Sequence, residues 1–270
     1  MRDRCAIFED SSILVLDKPA GISVLGERHG TDLLRLAKDA GETLMPVHRI
    51  DKVTSGVVLL AKNTPVHGGL TRQFARRTVD KAYLALTRST GLPAQGTIDL
   101  PLVTASSGRI RVAAERSAIA GDDATGVWSV PSDAVFGHVR SFPSVTTFAT
   151  VWDDGQNSLL ALRPITGRRH QIRVHLAWIG HPIEGDPLFD KGAVARGART
   201  GLHAWRLGFD AAWQGDRRVT VEATPGEDFW APVCERLPAA DVLELAHRSI
   251  AGLQDRRVVV DAPDEATAEM

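Results

Sequence analysis

A succession of strand-length apolar runs, each cut by turn signals, limits what this chain can fold into more than any other feature. Ile13 to Leu16 runs into a turn at Pro19 and Gly21, and GVVLLAK from Gly56 is an unbroken apolar run that reads as a buried strand. KAYLALT, TIDLPLV, RIRVA, SVTTFATVW and SLLALRP follow, and LHAWRLGFD with RRVTVEATP reads as a closing pair of strands. Helical spacing is confined to four places. Thr31 is placed to cap a short helix containing Leu33, Leu34, Leu36 and Ala37, and Thr64 to Arg77 sets Leu70 and Phe74 four apart on one side. ITGRRHQIRVHLAWIG puts Ile172, His175, Leu176 and Ile179 on one helical face with Gly180 as its stop, and the last carries Val242, Leu243, Leu245 and Ile250. Many strands with few helices predict an α+β fold on a mixed or largely antiparallel central sheet with flanking helices and loops. The Gly-, Ala-, Asp- and Ser-rich stretch from Ala118 to Ser144 reads as an inserted surface loop, and no internal repeat is present.

Charge bears on the partner. The net charge of −1 over 270 residues hides an asymmetry: 10 Asp/Glu against 4 Lys/Arg from Gly226 to Met270 leave the preceding part at +5. There the basic residues bunch in two segments, Arg72, Arg76, Arg77, Lys81 and Arg88, then Arg163, Arg168, Arg169 and Arg173. Arginine suits forked contacts to phosphate. No stretch approaches the roughly 20 apolar residues of a membrane span, the first residues lack a secretory run, and a cytoplasmic location is expected. Cys5 and Cys234 lie far apart and read as packing residues. GxGxxG and GxxxxGK[ST] are absent, so no nucleotide cofactor is indicated.

The segment HRIDKVTSGVVLLAKN, His48 to Asn63, places a carboxylate between Arg and Lys, with hydroxyls and a glycine just after it, in a loop between two core elements. Such a carboxylate suits a nucleophile or base held ionised by nearby positive charge; taken alone, a surface loop with a salt bridge explains it as well. Together with three other segments in the same order, it resembles the RluA family of RNA pseudouridine synthases. The motifs are Leu16-Asp17-Lys18-Pro19-Ala20-Gly21; His48-Arg49-Ile50-Asp51 with Thr54-Ser55-Gly56; Lys81-Ala82-Tyr83-Leu84-Ala85; and Thr166-Gly167-Arg168-Arg169-His170-Gln171-Ile172-Arg173-Val174-His175-Leu176, continuing through Gly180-His181-Pro182-Ile183 to Gly185-Asp186-Pro187. Leu202-His203-Ala204 matches a further segment near the end of the fold. Ile50 stands where the family has Leu, Glu184 takes a place usually apolar, and Ala118 to Ser144 is poorly matched.

The resemblance implies a pseudouridine synthase-type fold and a catalytic domain over residues 1–237 with a surface insertion at about 118–144; the apolar spacing and the polar, acidic end of 238–270 read as a C-terminal helix and a disordered tail. The resemblance shows no separate S4-type RNA-binding domain. It implies an isomerase that needs no cofactor, with Asp51, Tyr83 and Arg173 as catalytic residues and Arg49, Thr54, Arg168, His170, Gln171 and Leu202 as substrate contacts. Arg49 resembles the residue that enters the space left by the extruded base; pairing with Asp51 or a phosphate is its structural alternative. Leu202 resembles the residue beneath the uracil. The expected partner is structured RNA, rRNA or tRNA, met by a monomer. His170, His175 and His181 with Asp186 could suggest a metal cluster, but His175 falls on the apolar face, and no metal is expected. A metal-dependent nuclease or phosphodiesterase, separated by chelation, and a non-catalytic RNA-binding protein are the alternatives.

Overall fold

The computed structural model describes residues 5–26, 30–122, 125–237 and 242–254. Its strands are β1 Ala6–Glu9, β2 Ile13–Lys18, β3 Met45–Pro46, β4 Ser55–Ala61, β5 Asp80–Thr87, β6 Gln95–Asp99, β7 Leu102–Thr104, β8 Ile110–Val112, β9 Ala120–Asp122, β10 Val127–Ser129, β11 Val145–Asp153, β12 Ser158–Pro164, β13 Leu202–Ala211 and β14 Arg217–Glu222. The helices are α1 Leu33–Asp39, α2 Thr64–Ala75, α3 Gln171–Trp178, α4 Lys191–Ala195, α5 Glu227–Trp230 and α6 Val242–Gln254. The main sheet runs β1-β2-β4-β13-β5-β12-β11-β6-β10-β9, with β14 on β13 and β3 on β4; β7 and β8 form a separate pair. β13 runs parallel to β4 and β10 parallel to β6, and the other pairs are antiparallel. This is the mixed, largely antiparallel sheet with flanking helices that the apolar runs predict.

Unbroken apolar runs arise because helices cover both faces of the sheet. All seven residues of β4 are buried. On β5 and β12, Ala85, Leu160 and Leu162 pack with Ile172, Val174 and Leu176 of α3, while Leu84, Leu86, Leu159 and Ala161 pack with Val242, Ala246, Ile250 and Leu253 of α6. The C-terminal helix therefore covers one face of the main sheet, and Leu245 lies outside its buried stripe. The acidic tail falls outside the described residues.

Four local readings differ from expectation. The cap of α1 is Asp32, whose carboxylate accepts from the Arg35 N–H at 2.9 Å, one residue beyond Thr31. α3 begins at Gln171, after a left-handed His170 (φ 55°), and is buried on every side from Gln171 to Ala177, not along one face. Cys234 is exposed, with its thiol turned to the Ala231 carbonyl. The stretch from Ala118 to Ser144 is more than a surface loop: β9 and β10 extend the sheet edge, and Trp128, 5% exposed, packs on Phe148 with ring centroids 5.8 Å apart. Its surface-like composition concealed one large apolar anchor.

β4 and β13 are paired in register at two positions, His203 with Ser55 and Ala204 with Gly56, where β4 leaves the Asp51 loop. There Gly56 has φ +109°, and a Cβ would lie 2.1 Å from the Ala204 carbonyl oxygen. Both conformation and contact require glycine. Gly56→Ala is expected to cost about 3 kcal/mol or more, from left-handed strain plus overpacking, as the loss of unfolding free energy in urea.

Candidate active site

The loop from β3 to β4 carries Asp51 to the sheet surface, and a turn in which the Thr54 N–H donates to the Asp51 carbonyl at 3.0 Å fixes its shape. Behind that turn Lys18, fully buried, donates to the carbonyls of Pro19 at 2.9 Å and Ile22 at 2.8 Å and approaches that of Lys52 at 3.4 Å. Burial lowers its pKa to about 8, although the Asp51 charge opposes this. The Lys-Pro turn and the Asp51 loop are thus bound through one ammonium.

From the other side, α3 delivers Arg173. Its Nη1 donates to Asp51 Oδ2 at 2.9 Å, while Nε and Nη2 grip Asp186 at 2.7 and 3.0 Å. Asp186 is fully buried and Arg173 is 4% exposed. Burial works against the guanidinium charge, but Asp186 and then Asp51 outweigh it and raise the pKa above the usual arginine value. His170 Nε2 stands 3.7 Å from Asp51 Oδ1. Burial lowers the His170 pKa against the pull of Asp51, so the imidazole is neutral near pH 7 and its Nδ1, buried, has no hydrogen-bond partner.

Asp51, His170 and Arg173 line a cavity of about 390 Å³. All nine residues singled out from the sequence border it: Asp51, Tyr83, Arg173, Arg49, Thr54, Arg168, His170, Gln171 and Leu202. They come from four separate stretches of chain. Arg49 is exposed, and Leu202, 3% exposed, sits on β13 opposite Ala85 of β5. Tyr83 lies on β5; burial first, then the Asp51 charge, pushes its pKa upward, so it is a neutral phenol.

Gln171 differs from its expected place as a substrate contact. Its Oε1 accepts from the Thr166 hydroxyl and the Arg168 N–H, and its Nε2 donates to the Val145 carbonyl and the Thr146 hydroxyl. With four protein partners, the amide has no polar group left for a ligand; its position shapes the 166–170 loop.

Three side chains that the sequence reading did not assign complete the wall. His48 accepts from the Leu59 N–H at 3.0 Å and stacks on Phe74 at 4.8 Å, and burial lowers its pKa to about 3. Lys81 reaches the Thr166 carbonyl at 3.3 Å, and burial, then Arg77 and Arg163, lower its pKa to about 8. Asp186, the third, lies behind the wall and holds Arg173 in it; its place in Gly185-Asp186-Pro187 was the available signal. The suggested histidine cluster is dispersed: His175 is held by Thr146 and Leu100, and His181 by Ser89. Among the described residues no group of three or more His, Cys, Asp or Glu could hold a metal ion.

A family model described as RNA pseudouridylate synthase matches residues 12–178. The chain belongs to the RNA pseudouridylate synthase family. Among its relatives, the ribosomal large subunit pseudouridine synthase D of Zymomonas mobilis is 34% identical over 244 residues, 83% of this chain and 69% of that protein. The dual-specificity RNA pseudouridine synthase RluA of Vibrio vulnificus is 34% identical over 75% of this chain and 76% of its own. The solved human RNA pseudouridylate synthase domain containing 1 superposes with a TM-score of 0.66 at 25% identity, covering 91% of this chain and 94% of that one. The family's fold and its isomerase class therefore apply to this chain. No helix among its described residues is long and apolar enough to cross a membrane.

Two measurements test this construction. Asp186→Asn leaves Arg173 buried and half-paired, an expected loss of about 3–5 kcal/mol, read from urea unfolding. Buried His175 and His203 each titrate at about 4, from an ordinary 6.5, because burial opposes their charge. Their contribution is complete above pH 6.5 and is lost as pH falls towards 4, where they must take up protons. The unfolding free energy should therefore fall steadily below pH 6.5, by up to about 1.4 kcal/mol per pH unit for each histidine.

Proposed function

We propose that this family member isomerises uridine to pseudouridine in a structured RNA, rRNA or tRNA, with Asp51 as the reacting carboxylate. The supporting observation is the division of labour between the two Asp51 oxygens. Oδ2 is taken by Arg173, while Oδ1 faces the cavity beside a neutral imidazole. The reaction breaks N1–C1′ and forms C5–C1′ on the same uracil; a proton leaves C5 and one is gained at N1. The isomerisation has no net electron or group to supply, so one carboxylate that attacks, or stabilises charge at, the reacting centre suffices.

The neighbours then take distinct parts. Arg173 keeps Asp51 oriented and supplies an opposite charge beside it, and Asp186 keeps Arg173 aimed. Tyr83, as a neutral phenol, offers a ring for stacking and a hydroxyl for hydrogen bonding; it is not an anionic base near pH 7. Leu202 supplies apolar contact beneath the base. Arg49, exposed at the rim, is placed to fill the space a flipped nucleotide vacates. Thr54 acts through the turn it closes, and the Arg168 Nε and His170 Nδ1 are buried polar atoms without protein partners. We place residues 1–237 together with the α6 helix in one catalytic unit, acting as a cytoplasmic monomer without a nucleotide cofactor. The 34% identical ribosomal enzyme favours rRNA as the first substrate to assay.

Asp51→Asn keeps the shape and removes the charge. Pseudouridine formation should fall by about 10³-fold or more, while RNA affinity, which rests mainly on phosphate contacts, stays within about threefold. Mapping pseudouridines in rRNA and tRNA after incubation with each protein checks both. Near-wild-type turnover in the variant would move the catalytic role to another residue.

A further inference from the structure

Beyond the pocket, the segment from Pro131 to Ser144 makes an unusual use of arginine. Arg111 lies 5.0 Å from the Phe136 ring centroid, Arg140 lies 5.3 Å from that of Phe142, and Arg168 lies 4.9 Å from the same Phe142 ring. His138 packs on Phe136 at 5.6 Å. Among the described residues none of these three arginines pairs with a carboxylate, whereas Arg163, Arg173, Arg199, Arg218 and Arg236 each do. The Arg168 Nε is buried without a hydrogen-bond partner.

The rings are firmly set. Phe142 exchanges two backbone hydrogen bonds with Leu102 of β7, at 2.9 and 2.8 Å, and the Phe136 N–H donates to Ala113 at 2.8 Å. His138 and Arg140 are exposed, while Phe136, Phe142 and Arg111 are half-buried. Arg168 also borders the catalytic cavity, and through the Phe142 ring that it shares with Arg140 it joins this segment to the cavity wall.

We propose that this Arg–aromatic face binds the unpaired RNA that flanks the target uridine, and so helps determine which RNA the enzyme selects. The inference rests on the RNA-modifying reading of the pocket and adds a second contact region to it. Cations with no acidic partner leave their charge for phosphate, and guanidinium planes held on rings are ready to stack on splayed bases. Alternating Arg and aromatic groups is the surface chemistry that single-stranded RNA recognises. A duplex would use the charges but not the rings. The three arginines come from β8, the 131–144 segment and the loop before α3, so only the folded chain assembles the face.

The test uses the full-length protein with Arg111→Gln and Arg140→Gln together, against a control of equal charge loss, Lys38→Gln with Arg217→Gln, both exposed and outside this face. Binding is measured with substrate RNA over a range of salt, and folding is checked by thermal midpoint. The surface variant should bind roughly tenfold more weakly, and its log–log salt slope should shrink by about 1–1.5, near 0.7 per lost phosphate contact on single strands. The control should stay within about twofold. Ultraviolet cross-linking of wild type should label the peptide containing Phe136 to Phe142, a readout that needs no substitution. Equal losses in both variants, or no loss with no cross-link in that peptide, would overturn the proposal. Wild-type protein that binds RNA through this face yet forms no pseudouridine would overturn the catalytic reading and leave this one standing.

Discussion

Arg173 is the joint on which the site depends. Its guanidinium is almost fully buried, which is costly unless every N–H finds an acceptor. Two carboxylates from distant parts of the chain take three of these donors and balance the charge, Asp186 by a two-pronged grip and Asp51 by one contact. The planar fork can do this because its donors point in fixed directions. As a result α3, the 183–187 turn and the Asp51 loop cannot shift independently. Asp51 is held through one oxygen, while the other stands 3.7 Å from His170.

Around this joint the protein relies on polar groups that burial keeps neutral or fully partnered. His175 bridges α3 to Thr146 on β11 and to the Leu100 carbonyl, and His203 bridges Ser55 to the Ala223 carbonyl. Each imidazole serves two partners without charge, avoiding the desolvation penalty of an ion. Gln171 does the same with four hydrogen bonds. Lys18, by contrast, is buried among carbonyls, and its charge is sustained by nearby Asp51. The scaffold is therefore stiff where the carboxylate is placed and open at the rim, where Arg49 and Arg169 are exposed.

Much of this was readable in the chain because local rules govern it. Apolar runs such as GVVLLAK marked strands covered on both faces, and the motif order identified residues that converge on one cavity. Glu184, a departure in the last motif, shows a limit: it is 8% exposed, and burial raises its pKa, with Asn157 donating to it. A charged residue in sequence thus occupies a mostly buried position. Trp128 shows another. It stands eight residues from the next aromatic, Phe136, in a Gly-, Ala-, Asp- and Ser-rich stretch and contributes no readable periodicity, so the two strands it anchors were missed.

By itself the sequence determined the α+β class, the strand-rich order, and the chemical identity of Asp51, Tyr83 and Arg173, since these depend on residue type and near-neighbour spacing. Tertiary structure decided how those groups act. Asp186 is thirteen residues from Arg173 and far from Asp51 in the chain, so its role as the second jaw of the clamp arises only when α3 packs on the sheet. Likewise, Gln171 is a member of a motif in sequence but a fully engaged brace in space, and Arg111, Arg140 and Arg168 are scattered until Phe136 and Phe142 align them. Hydrogen-bond saturation and desolvation act over a few ångströms in three dimensions, and spacing along the chain does not encode those distances.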